Sequence, residues 1–177
     1  MRIIGGSHGG LRLHPPSTLP VRPTTDMAKE ALFNVLENRI DFSGLGALDL
    51  FSGTGNITFE FASRGVARVV AVDAHFKCIQ YINTVAKKLN MTAIKAVKAD
   101  ALKFIPSCKD QFDLVFADPP YDLPQLPQIP NLVFAAGLLK PGAWLILEHA
   151  STRKLETSPH WVETRKYGYS SFSFYRL

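Results

Sequence analysis

Asp118-Pro119-Pro120-Tyr121 follows directly on the apolar run Leu114-Val115-Phe116-Ala117. An acid, two prolines and an aromatic ring therefore stand where a buried strand should end. In an open α/β sheet, the carboxyl ends of strands are where ligands bind. A carboxylate and a fixed carbonyl can hold an amino group there, and a phenol ring can cover a flat base. Asp118 and Pro119 each precede a proline, which restricts their backbone, so the acceptors are held stiffly. The combination points to chemistry on the exocyclic amine of a nucleobase. The bland alternative for Asp118-Pro119-Pro120 is a strand-ending turn, and for Tyr121 a loop aromatic packed on the next helix.

A second constellation lies upstream. Asp49-Leu50-Phe51-Ser52-Gly53-Thr54-Gly55 leaves a short strand and opens a helix, and Asp73, followed by Ala74, ends the next strand. Glycines in such a loop let the backbone approach a ligand, and an acid at the second strand end can accept from ribose hydroxyls. A dinucleotide fingerprint would need a third glycine where Thr58 stands, so a different nucleoside-type cofactor is expected. Asp49 either orients the turn or faces a cofactor's ammonium group. Asp100, followed by Ala101 and Leu102, can accept from an adenine amine while Leu102 packs on the ring, and it can also cap the segment after it, the two roles being compatible. Arg22, Thr24 and Thr25 either cap a helix and solvate the surface, or close over the cofactor or touch nucleic-acid phosphate.

The elements that must carry these residues alternate. Thr24 or Thr25 caps a helix with apolar positions Ala28, Ala31, Leu32, Val35 and Leu36 at helical spacing. Strands are expected at Ala47 to Phe51, Val69 to Val72, Ile94 to Ala99, Leu114 to Ala117 and Trp144 to Leu147. Helices are expected at Asn56 to Arg64, Phe76 to Leu89 and near Leu132 to Leu138. The alternating tail, Trp161 to Tyr167 and Ser171 to Arg176, suits an antiparallel pair at a sheet edge. Residues 1–24, rich in Gly, Pro and Arg, read as a hairpin arm before a catalytic core at 25–177, the whole forming one domain. Repeated strand–helix units imply a doubly wound, mostly parallel α/β sheet covered on both faces.

The 177 residues suffice for a sizeable core. No apolar run reaches the roughly 18 residues of a membrane span, no secretory signal is evident, and Cys78 and Cys108 have no metal-ligand spacing. A soluble protein of the reducing cytoplasm, without metal or membrane partner, is expected, with a monomer favoured. The net charge of +5 favours polyanions. Arg2, Arg12 and Arg22 precede Asp26, the first acid, and Arg153, Lys154, Arg165, Lys166 and Arg176 lie near the other end. These basic ends are expected to form one cationic rim for nucleic acid.

Together the glycine loop, Asp73 and the Asp118 tetrad resemble class I S-adenosylmethionine-dependent amino-methyltransferases. Met1-Arg2-Ile3-Ile4-x-Gly6, Arg22-Pro23-Thr24-Thr25-Asp26 with Glu30-Ala31-Leu32-Phe33-Asn34, Ser63-Arg64-Gly65, Glu148-His149 and Tyr167-Gly168 with Ser173-Phe174-Tyr175 further resemble the RsmD family. The resemblance covers essentially the whole chain. It implies a seven-stranded Rossmann-like sheet and methylation of one guanine N2 in 16S rRNA, with an assembling or complete 30S particle as partner. It departs at Ser7-His8-Gly9-Gly10, where relatives often carry lysine or arginine, and in the proline-rich 123–131 segment.

The chemistry so implied is direct methyl transfer. Asp118 and the Pro119 carbonyl hold the two N2 hydrogens and aim the lone pair, Pro120 stiffens the loop, and Tyr121 stacks on the extruded base, an interaction worth roughly 1–3 kcal/mol. The implied S-adenosylmethionine site comprises Thr25, Asp49, Phe51, Gly53, Gly55, Asp73, Ala74, Asp100, Ala101 and Leu102. Arg2, Arg12, Arg22 and Tyr121 are the RNA contacts. His149 is expected as a packed neutral histidine. Two other readings stand beside this one: a DNA amino-methyltransferase using the same tetrad, although no separate target-recognition domain is visible, and a non-catalytic RNA-binding assembly factor. A nicotinamide dehydrogenase would leave the tetrad unexplained.

Overall fold

Five parallel strands form the centre of the molecule: β1 (Gly46–Leu50), β2 (Arg68–Asp73), β3 (Ile94–Lys98), β4 (Phe112–Ala117) and β5 (Leu139–Ala150). The computed structural model describes residues 1–21, 24–155 and 158–177. Arg22 and Pro23 thus lie outside the described residues. The sheet is completed by β6 (Trp161–Tyr167) and β7 (Ser170–Arg176), with β7 antiparallel to both β5 and β6. The order across the sheet is β3-β2-β1-β4-β5-β7-β6. The chain builds outward from β1 to β3, then crosses back to lay β4 on the other side of β1. In open α/β sheets such a reversal is where ligands bind.

Helices cover both faces. α1 (Asp26–Glu37), α2 (Asn56–Ser63) and α3 (Phe76–Lys88) lie on one face, and α4 (Ala101–Ser107) and α5 (Ile129–Ala135) on the other. Strand alternation distributes the core. Leu48 and Leu50 pack with Ile105, Ile129 and Val133, whereas Ala47 packs with Leu32, Phe33 and Phe61. Asp49, on the Ala47 side, is therefore forced toward α2.

Several element bounds differ from expectation for local reasons. α5 begins at Ile129, ahead of Leu132, because Pro130 suits a first helical turn whose N–H groups have no partner in the helix. β5 starts at Leu139 despite Pro141. Phe112 pairs with Leu139 and Leu114 with Trp144, so the intervening Lys140-Pro141-Gly142 bulges out of the ladder. α4 was visible in the sequence only as a capped segment. It is two turns long, and the Asp100 carboxylate accepts from the backbone N–H groups of Leu102 (2.8 Å) and Lys103 (3.3 Å).

The N-terminal arm turns back on itself through an Arg2–Arg12 antiparallel bridge. It is fastened by buried charge. The Glu60 carboxylate accepts from the backbone N–H groups of Ile4 and Gly5, each at 2.9 Å. Lys29 donates to the Arg2 carbonyl and to Asn56 Oδ1, and its Nζ lies 3.3 Å from Glu60. Both charged side chains are fully buried. Gly6, at φ +76°, lies so close to α2 that a Cβ would meet the Ser63 carbonyl oxygen.

Candidate active site

Sheet register places four strand-end residues in one row. Leu50 is level with Val72 and with Ala117, and Ala117 is level with Leu147. The next residues along these four strands are Phe51, Asp73, Asp118 and Glu148. Phe51 takes a left-handed conformation (φ +60°), which turns the chain sharply off β1 into the glycine loop.

The Asp73 carboxylate organises that loop. Its Oδ2 accepts from Gly53 N–H at 2.8 Å and its Oδ1 from His75 N–H at 2.8 Å. Asp73 stays half-buried, and Ala74 beside it is exposed. Gly55 is also required by packing. It sits at φ +86° before α2, and a Cβ would stand 2.9 Å from Phe59 and 3.0 Å from Ile82. Asp49 is buried and its Oδ2 accepts from the Thr58 hydroxyl at 2.5 Å, so it fixes the first turn of α2. The residue that breaks the dinucleotide fingerprint is thus the partner of this acid. Burial pushes the Asp49 carboxyl up to about 7, with the Asp73 charge adding to the effect.

Asp118 is half-buried at the end of β4, and its N–H donates to the Leu50 carbonyl at 3.2 Å. Desolvation raises its carboxyl well above the usual range, reinforced by the charges of Glu148 and Asp49. Pro119 is buried, Pro120 exposed and Tyr121 half-buried. The phenol is held by two groups: its hydroxyl lies 2.6 Å from Ser170 Oγ and donates to Glu148 at 3.2 Å. Burial pushes Tyr121 up to about 12, keeping it neutral. The Arg153 guanidinium donates to the Tyr121 carbonyl at 3.3 Å.

Glu148 carried no assigned role in the sequence, yet it ties this edge together. It is 3% exposed and accepts from the Thr24 hydroxyl at 2.7 Å as well as from Tyr121. Its signal was present: an acid follows Trp144–Leu147 as Asp118 follows Leu114–Ala117. Thr24 thereby contacts the edge, whereas Thr25 is exposed and caps α1 by accepting from Ala28 N–H at 3.2 Å. Asp100 is exposed beside α4, with Ala101 buried and Leu102 half-buried. Arg2 stands 3.6 Å from Asp26, and Arg12 is exposed on the arm. His149 is buried between the Ala150 carbonyl and Ser173, and burial lowers its pKa.

A seven-stranded sheet of this order, with β7 antiparallel and an acidic row at the β1/β4 reversal, defines a class I methyltransferase, the S-adenosylmethionine-dependent class. The family model described as "Conserved hypothetical protein 95" matches residues 1–176. The chain belongs to that family, the RsmD family. It is 33% identical to the protein YlbH of Bacillus subtilis (strain 168), over 99% of this chain and 98% of the relative. It is 30% identical to "Ribosomal RNA small subunit methyltransferase D" of Escherichia coli (strain K12), over 90% of this chain and 79% of that one. The solved structure of Escherichia coli yhhF superposes with a TM-score of 0.85 at 26% identity, covering 99% of this chain and 97% of the other. Among the described residues no helix is long and apolar enough to cross a membrane.

Proposed function

We propose that the protein methylates the exocyclic N2 amine of a guanine in 16S rRNA, using S-adenosylmethionine. The observation that carries this reading is the position of Asp118-Pro119-Pro120-Tyr121: at the carboxyl end of β4, at the β1/β4 reversal, level with Asp73 and Glu148. The small-subunit rRNA named for the Escherichia coli relative supports the substrate class.

The residues present fit the cofactor by their chemistry. Asp73 uses each carboxylate oxygen once, leaving lone pairs for ribose hydroxyls. Asp49, Asp118 and Glu148 make the edge acidic, suiting a ligand that carries both an ammonium and a sulfonium. When bound, that cofactor supplies an electrophilic methyl group. The chain's own contribution is positional. Asp118 and the Pro119 carbonyl accept the two N2 hydrogens and orient the lone pair. Ionised Asp118 also stabilises the positive charge that develops on nitrogen, and it or water takes the departing proton. Tyr121, pinned by Glu148 and Ser170, presents a fixed face to the extruded base.

The test is transfer of labelled methyl to 30S particles from cells lacking the gene, followed by mapping of the modified base. One new N2-methylguanine, lost with Asp118→Ala, is the expected result. Label on a ring atom, on DNA only, or undiminished with Asp118→Ala would overturn the reading.

A further inference from the structure

Among the described residues Tyr169 is the most exposed large hydrophobic side chain, at 87%. It stands beside the candidate site on a rigid support. Tyr167 pairs with Ser170, so Gly168 and Tyr169 form a two-residue hairpin turn, with Gly168 at φ +64°. Ser151, just beyond β5, fastens the turn from below. Its N–H donates to the Tyr169 carbonyl and its hydroxyl to the Gly168 carbonyl, each at 2.9 Å. The next residue, Ser170, is the one whose hydroxyl lies 2.6 Å from the Tyr121 phenol. Two aromatic rings are thus linked through a single serine, one half-buried in the site and one projecting from its rim.

A ring held on a fixed backbone loses little conformational entropy when it binds, whereas exposing it brings no folding advantage. The surroundings name the partner. Arg153 reaches the Tyr121 carbonyl from the turn after β5, Lys154 next to it is exposed, and exposed Lys166 lies on β6 opposite Ser171. Cations interleaved with an aromatic platform suit single-stranded nucleic acid, whose phosphates pair with the former while a base stacks on the latter.

We propose that Tyr169 stacks on an unpaired nucleotide flanking the target guanine, with Arg153, Lys154 and Lys166 facing the adjoining phosphates. The site rests on the rRNA reading above and extends it: the β6–β7 turn grips the strand outside the reacting base, while Tyr121 serves the base itself.

The test pairs a binding measurement with a kinetic one. Fluorescence anisotropy of a labelled single-stranded RNA oligonucleotide needs no methyl transfer, so it decides the inference even where catalysis on 16S rRNA fails. Tyr169→Ala should raise the Kd roughly 5- to 150-fold, and Tyr169→Phe should restore binding to within about twofold, because stacking needs the ring and not the hydroxyl. On unmodified 30S particles the Ala variant should raise KM for RNA by a similar factor and leave kcat and cofactor affinity unchanged. Unaltered oligonucleotide binding by Tyr169→Ala would overturn the inference. So would a Phe variant as weak as Ala, or a defect on particles alone, which would mark Tyr169 as a contact for ribosomal protein.

Discussion

Asp49 lets the tension between folding and ligand binding be measured. Its carboxyl is buried, carries one short bond from Thr58, and is pushed up to about 7. In the unfolded chain the same group titrates near 3.9. The folded state therefore holds a proton that the unfolded state has lost, and stability falls with rising pH across that window. The contribution is fully present below about pH 4 and is gone above about pH 7. Between the two pKa values the slope is about 1.4 kcal/mol per pH unit, so between pH 5 and pH 8 the protein loses about 2.5 kcal/mol through this residue alone. Asp49→Asn keeps an oxygen to accept from Thr58 and removes the titration. The melting temperature of the variant should therefore gain on that of the natural chain by roughly 5–10 °C between pH 5 and pH 8. Other titrating groups act on both proteins and cancel in the difference. Asp118, whose carboxyl is raised partly by the Asp49 charge, shifts the gap in the same direction. Paired thermal scans at several pH values make the measurement. A gap that stays constant, or narrows toward pH 8, would refute the reasoning. If Asp49 faces a cationic cofactor, the stabilised variant should also bind that cofactor more weakly in calorimetry.

Removing a neighbour of Asp118 has a distinct signature. Glu148→Gln takes away a charge that raises the Asp118 carboxyl, so the acid limb of the methylation pH profile should move to lower pH; an unmoved limb would exclude electrostatic communication between them. Tyr121→Phe loses the bonds to Ser170 and Glu148 but keeps the ring, and kcat/KM should fall about tenfold, in line with one or two hydrogen bonds, with Tyr121→Ala falling further. Glu60→Gln leaves the Lys29 ammonium buried without its countercharge. That should cost about 3 kcal/mol or more, and calorimetry should show the midpoint lowered by roughly 6–12 °C.

What could be read from the residues follows from what is local. β4 and its tetrad were legible because an apolar run, an acid and two prolines dictate strand, end and loop within seven positions. The acids Asp73 and Asp100 were legible for the same reason, and Asp100 caps α4, one of the roles its position suggested. The Glu148–Tyr121–Ser170 linkage was not, because it joins residues brought level only by the pairing of β4 with β5 and β5 with β7. The fastening of the arm was not legible, because it depends on Glu60 and Lys29, charges within helices that are fully buried in the fold. In the sequence Thr58 stands out only where a third glycine would be, whereas in the fold its hydroxyl is the bonding partner of Asp49.

The strand order also decides how these molecules meet one another. β7 occupies an interior position between β5 and β6, leaving β3 and β6 as the outermost strands. Unpaired strand edges are templates for adding further strands, and charge along them opposes that growth. β3 presents exposed Lys95 and Lys98, while β6 carries Glu163, Arg165 and Lys166. Two copies approaching β3 to β3 bring lysines against lysines. The same basic residues that give the chain its excess positive charge therefore guard its sheet against edge-to-edge aggregation, and replacing Lys95 and Lys98 by valine would expose a strand ready to recruit another.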